Sequence, residues 1–471
     1  MEYQEVVDRK LKIVNQPIRR IPEETMKKVV EDLYKQCPKS ADYFKQMKQV
    51  VPGGIQHNLG MSKPFSLTFK GARGCKMYDI DGNEYIDYLM DGAPIILGHH
   101  FKPLDSKIIE LIEENGPAVG LTHENELLLA KEIIKNVPGI EMVRMLASGT
   151  EADMVAIRLA RVYTGKEKII KIGGNYHGWS DQLLISPNFP GTGPNEAFGI
   201  PVGCYENTIE VNQNDFDGLA KTFEKYKDSL AAVIAEPTGG HAGTFLAHPD
   251  WIKTLRNLCD QYGVVLIFDE VISGFRMAMG GGQVYYGVTP DITVLGKIIT
   301  HGYAGAGAVG GKAKIMQYCH PNNVNGREAF TGGTLTANPV SVTAGYYALK
   351  LMEEYHAVEK AADYATRLTQ ALNDLFCTRK DLSFFVYNLQ SIIHIETACY
   401  NGISLVENPM SRVQEVLDRH HVLSQFALVL LTQGIVPLGD RFYCCMQHDE
   451  DALQKTVKAW EYVLSLIPVV Y

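Results

Sequence analysis

A chain of 471 residues that is 46% hydrophobic and 21% charged has the make-up of a folded globular protein with one large core or two, which excludes disorder as its default state. Its net charge of −9, with no long basic run, argues against a nucleic acid or an anionic membrane as main partner and leaves small molecules as the expected ligands. The nine cysteines form no Cys-x-x-Cys and no metal-like spacing, and the start, MEYQEVVDRKLK, is charged rather than apolar, so reduced, mostly buried thiols and a cytoplasmic protein are expected.

Residues 1–69 lack an alternation of strand and helix patterns and are expected to form the first part of a smaller domain. In KMYDIDGNEYIDYLM, residues 76–90, two alternating runs flank Asp81-Gly82, a dipeptide suited to the tight turn of a hairpin. From about residue 140 onward, short apolar runs at 143–146, 168–172, 231–235, 264–268, 292–295 and 306–309 alternate with helical stretches such as 150–163 and 249–262. Strands apolar on both faces and separated by helices predict an α/β protein. Its mostly parallel sheet is covered on both sides, with ligands beyond the carboxyl ends of the strands. A large domain is expected over 70–335. After it, a long helix at 338–355 opens a mixed α+β region, 336–471, that completes the smaller domain. The stretch SPNFPGTGPNEAFGIPVG, 186–203, has no periodicity and is expected to be a loop near the site.

Four features follow strands of the expected sheet. Ser148-Gly149-Thr150 opens a helix, where free backbone N–H groups and hydroxyls suit an anion, although alone the trio reads as an ordinary cap. Tyr176-His177-Gly178 places a ring where it can stack on a planar ligand, and FDEVISGFR sets Asp269 and Glu270 at the mouth of a buried strand. Lys297 in VLGKIIT, taken singly, is a solvated surface lysine. Together they converge on one sheet edge. A phosphate cradle, a stacking ring, an acid and an amine suit pyridoxal 5′-phosphate: the amine forms a Schiff base with its aldehyde, and Asp269 keeps its ring nitrogen protonated. Glu270, the next residue along the strand, points the other way and is expected to pair structurally.

The segments LASGTEADMVAIRLARVYTG, GGNYHGWSD, AEPTGG, FDEVISGFR, TPDITVLGKIITHG and GGTLTANPVSVTAG resemble, in that order, the class III aminotransferases, and most of all their glutamate-1-semialdehyde aminomutase-like subgroup. The resemblance spans about residues 48–350. It implies the aspartate aminotransferase fold (fold type I), a homodimer with shared active sites, and pyridoxal phosphate on Lys297. Carried over by position, it puts Ser148, Gly149 and Thr150 at the phosphate, Tyr176 on the ring with His177 beside it, Asp269 at the ring nitrogen and Val271 on the opposite face. Asn214 and Glu236 would lie near the cofactor. Gly333 and Thr334 would reach the phosphate of the neighbouring subunit.

Two departures bear on the substrate. Glycine stands at position 60, where the aminomutases carry the arginine that anchors the substrate carboxylate, and Asp91-Gly92-Ala93-Pro94 replaces a segment holding a tryptophan. Arg441 in PLGDRFYCC is a candidate replacement anchor, with an ordinary surface arginine as the plainer reading. Transfer of an amino group between an amine or amino acid and an oxo acid is the expected reaction. An aminomutase, or an amino-acid racemase or epimerase, is the alternative on the same cofactor. A nucleotide-binding protein is disfavoured because GYAGAGAVGG lacks the strand-glycine-helix order. No metal site is expected, since the adjacent His99 and His100 would point to opposite faces of a strand.

Overall fold

The computed structural model describes residues 1–57, 63–323 and 326–470. It comprises two compact units, one of residues 102–358 and the other of residues 1–101 with 359–471.

The 102–358 unit is built on a seven-stranded sheet. From one edge to the other its strands are Met142–Leu146, Gly307–Gly311, Ile292–Gly296, Val265–Asp269, Leu230–Ala235, Lys168–Ile172 and Thr208–Val211. Gly307–Gly311 is antiparallel to both neighbours, and the other six share one direction. The three central runs, LAAVIA, VLIFD and ITVLG, are buried at every position, because helices cover both faces. Successive residues feed two different cores. Ala232, Ile234, Val265 and Ile267 pack with Val155, Ala156, Leu159 and Ala160 of the helix Gly149–Thr164. Val233, Ala235, Leu266 and Phe268 pack with Trp251, Leu255 and Cys259 of the helix Trp251–Tyr262. By this alternation Asp269 points to the face covered by Gly149–Thr164.

The six expected strands form within two residues of their anticipated limits. The seventh, Thr208–Val211, was not anticipated: it is an edge strand of four residues, with only Val211 buried, and so carries no apolar run. The 186–203 stretch holds only short helical turns, Gly193–Glu196 and Val202–Tyr205.

In the other unit, Phe69–Arg73, Lys76–Asp79 and Glu84–Asp87 form an antiparallel meander, and Ile435–Val436 adds to it in parallel. The Asp81-Gly82 turn closes as expected, with Asp79 Oδ1 accepting from the N–H groups of Asp81, Gly82 and Asn83 at 2.8–2.9 Å. A second sheet joins Phe385–Leu389, Ile392–Glu396 and Arg441–Tyr443. Pairing of the meander with residues 435–436 draws 70–101 into this unit. The helix Pro339–Tyr355 packs on Lys102–Glu114 and Glu124–Asn136 and stays with the large sheet. The division thus falls at 101/102 and 358/359, past the expected 69/70 and 335/336. No described helix is long and apolar enough to cross a membrane.

Candidate active site

Asp269 ends its strand with 4% of its surface exposed. Its Oδ1 accepts from the Val271 N–H at 2.9 Å, and its Oδ2 lies 2.7 Å from Nδ1 of His177. Burial lowers the pKa of His177, with Asp269 opposing the shift, so the neutral ring donates through Nδ1–H. Its other nitrogen, Nε2, is buried with no hydrogen-bond partner among the described residues.

Glu236 follows the adjacent strand and is also buried. Its Oε1 accepts from the N–H groups of Tyr176 and His241, each at 2.9 Å, and its Oε2 from that of Ala242 at 2.8 Å. This one carboxyl ties the Tyr176 loop to the turn at 241–242. Burial, reinforced by Asp269, raises its pKa to about 7. Tyr176 itself is 42% exposed, and its ring is stacked on that of His241 with centroids 6.3 Å apart.

The helix Gly149–Thr164 begins with Ser148 as its cap, whose side chain accepts from the Glu151 N–H at 3.2 Å. The first N–H groups of such a helix have no internal carbonyl to meet. Two contacts knit it into the cluster. A Cβ on Gly149 or on Gly296 would stand 2.8 or 2.9 Å from the Val271 side chain, so Val271 lies against the helix start and against the strand end before Lys297. Gly178, at φ 74°, approaches Thr150 so closely that a Cβ would meet the Thr150 side chain and backbone within 2.8 Å. Lys297 is half-buried in the left-handed region at φ 45°, and its charge acts on Asp153.

The structure therefore brings Ser148, Gly149, Thr150, Tyr176, His177, Glu236, Asp269, Val271 and Lys297 together. Asn214 instead clamps a loop, donating to the Leu246 carbonyl at 3.0 Å and accepting from the His248 N–H at 2.8 Å. Gly333 and Thr334 are exposed. Glu270 turns away, as expected. It is buried and accepts from Ser273 Oγ and from the N–H groups of Gly282 and Gln283. Arg441 departs from the plainer expectation of a surface residue: its side chain is 15% exposed, with Nε 3.8 Å from Asp440 Oδ1. Gly60 lies outside the described residues.

Sequence reasoning passed over Asp153. It lies on the buried stripe of its helix with Ile157 and Ala160, and one of its carboxylate oxygens is within 4.8 Å of a ring nitrogen of His177 and a carboxylate oxygen of Asp269. The signal was present as an acid four residues after Gly149 on an apolar helical face.

A sequence profile described as Aminotransferase class-III matches residues 60–383. The chain belongs to that family. Its fold is fold type I, that of the aspartate aminotransferases, and its cofactor is pyridoxal 5′-phosphate. Among class III relatives, a glutamate-1-semialdehyde 2,1-aminomutase 1 of Lachnoclostridium phytofermentans is 42% identical over 72% of this chain and 78% of its own. A glutamate-1-semialdehyde 2,1-aminomutase of Methanocaldococcus jannaschii is 36% identical over 90% and 97%. The crystal structure of an omega-transaminase from Sphaerobacter thermophilus superposes with a TM-score of 0.81 at 28% identity, over 92% of this chain and 99% of that one.

Proposed function

We propose that this class III enzyme is an aminomutase, moving an amino group between two carbons of one small amino-oxo acid, with Lys297 as the residue that carries the cofactor and moves the proton. The observation that carries this reading is the 36% identity, over 90% of the chain, to an enzyme named for that rearrangement.

The residues fit the cofactor. Asp269, buried and held by His177 and the Val271 N–H, offers its carboxylate to a protonated ring nitrogen, while burial and the neighbouring acids raise the pKa values of Asp153 and Glu236. When bound, pyridoxal phosphate supplies an aldehyde that captures amines and a ring that withdraws electrons from the carbon next to the captured nitrogen. In this reading Ser148, Gly149 and Thr150 bind the phosphate at the helix start, and Tyr176 stacks on the ring with Val271 against its other face. Asp269 holds the proton on the ring nitrogen, and His177 fixes Asp269. Glu236 sets the height of the Tyr176 loop, and Asn214 shapes the neighbouring 246–248 turn. Lys297 Nζ takes the proton from the substrate carbon bearing the nitrogen and returns it at another carbon. The exposed Gly333 and Thr334 serve the phosphate of a second subunit, so the working form is a homodimer, placed in the cytoplasm.

Net transfer to a separate oxo acid is the second reading. It is favoured by glycine at position 60, where the family resemblance implies an anchoring arginine. Purified enzyme is supplied with glutamate-1-semialdehyde alone, and separately with amino donors plus oxo acids. The proposal expects an isomeric product from the semialdehyde with no acceptor added. Turnover only when donor and acceptor are both present overturns it in favour of the transaminase.

A further inference from the structure

We propose that Asp153 is protonated and that its O–H donates a hydrogen bond to Nε2 of His177, locking that ring in the tautomer whose Nδ1–H goes to Asp269. Asp153 is thereby a positioning residue, the far end of a relay that runs Asp153, His177, Asp269. The inference deepens the proposed reading of Asp269 as the partner of the cofactor's ring nitrogen and rests on it for its functional meaning.

Three observations carry it. The first is proximity: the three side chains offer one atom each within a common distance of 4.8 Å, and all three are buried. The second is a matched pair of unmet needs. Oδ1 of Asp153 and Nε2 of His177 are each buried with no hydrogen-bond partner among the described residues. A buried polar atom left unpaired costs about 1–3 kcal/mol, and one hydrogen bond between these two groups would remove two such costs at once. The third is the valence of the ring. Since Nδ1 donates to the Asp269 carboxylate at 2.7 Å, Nε2 of a neutral imidazole has only a lone pair to offer, so its partner must be a donor. A carboxyl group donates only when protonated.

The charges around Asp153 place the proton there. It faces Asp269 and Glu236, both acidic, with Lys297 as the opposing cation, and burial and the two acids together push its pKa up. Burial pushes that of His177 down, so between the two groups the proton stays on the carboxyl rather than making an imidazolium. The consequence is electrostatic. A relay whose outer member is neutral leaves a single negative charge, on Asp269, facing the ring nitrogen, and fixes its direction through the histidine.

The test reads the histidine itself. Cofactor-loaded enzyme is prepared with ring-labelled [15N]histidine, and the His177 signals are assigned by their loss in His177→Gln. The proposal expects a neutral ring, protonated at Nδ1, with Nε2 displaced toward the shift of a hydrogen-bonded acceptor and unchanged across neutral pH. Asp153→Asn keeps a donor and should preserve this pattern. Asp153→Ala should release Nε2, giving mixed tautomers and a visible cofactor band that shifts with pH. An imidazolium or an Nε2–H tautomer in the unmodified enzyme overturns the relay, as does a His177 spectrum indifferent to Asp153→Ala. Should the alanine variant fail to fold, the unmodified enzyme and Asp153→Asn decide. If the tautomer is as proposed but Asp269→Asn leaves the visible band unmoved, the relay stands and the ring-nitrogen reading is what fails.

Discussion

Nδ1 of His177 sits 2.7 Å from Oδ2 of Asp269 at a buried strand end, while Oδ1 of the same carboxylate takes the Val271 N–H. Two donors hold the group in place and leave its remaining lone pairs for a cationic partner. Asp269→Asn preserves the shape and removes the charge, and a neutral amide does not hold a proton on a pyridine nitrogen. Loss of an ion pair at the electron sink raises the barrier by several kcal/mol, so kcat should fall roughly a thousandfold with the fold intact. Circular dichroism beside steady-state turnover checks this, and turnover near that of the parent removes Asp269 from the chemistry.

Lys297 is the expected site of covalent attachment. Borohydride treatment of the loaded enzyme should fix the cofactor to the peptide containing Lys297, and Lys297→Ala should abolish the fixed adduct while still binding cofactor reversibly. Mass mapping of the adduct to any other lysine refutes the assignment.

Much of this was readable in the sequence for a physical reason. Strands buried on both faces must be apolar throughout, so LAAVIA, VLIFD and ITVLG announce themselves, and the residues just past them fall at the sheet's carboxyl edge, where Asp269 and Lys297 stand. Adjacent strand residues point to opposite faces, which separates Asp269 from Glu270 on sequence alone. What stayed hidden depended on distance along the chain. Nothing local in SGTEADMVAIR says that Asp153 meets a histidine 24 residues later, and nothing in TIEV marks an edge strand with one buried residue. The parallel pairing of residues 435–436 with Glu84–Asp87 is equally silent in the sequence, because its partners stand some 350 residues apart.

Thr334 is exposed in the chain, as a residue reaching a second subunit has to be before assembly. Thr334→Ala should weaken cofactor retention during ultrafiltration without altering the thermal stability of the unloaded protein. Dilution of the parent enzyme into monomers should release cofactor to a similar extent. A monomer that retains its full complement of cofactor contradicts the shared site.

Glu270 gives a contrasting case, a buried acid beside the site that serves the fold. It accepts two backbone N–H groups, those of Gly282 and Gln283, together with Ser273 Oγ. Glu270→Ala strands these donors in the interior, at about 1–3 kcal/mol for each unmet group, partly offset by relaxation. A fall in melting temperature of several degrees is expected, with the Lys297 adduct still forming in the folded fraction. Unchanged melting with lost adduct formation would instead put Glu270 in the site.

His448 sets an acid limit on stability. Its ring is stacked on Tyr88 and Tyr364 at 4.7 and 4.8 Å, Nδ1 accepts from the Cys445 N–H at 3.0 Å, and Nε2–H donates to the Asp87 carbonyl at 3.1 Å. Both nitrogens are committed to a neutral ring, and burial lowers the pKa from 6.5 to about 4. A lowered native value means that the unfolded chain binds the proton first, so this stabilisation is complete above pH 6.5 and is lost as pH falls through about 4. The swing is about 3 kcal/mol. Glu236 and Asp440, raised to about 7 and about 6, slope the other way in part of this window, so the parent's curve alone does not isolate the histidine. His448→Gln does. The variant should be clearly less stable than the parent at pH 7 in urea titrations, and the gap between them should close as pH drops from 6.5 toward 4. A gap that stays constant over that range means that His448 does not titrate between the folded and unfolded states as its surroundings require.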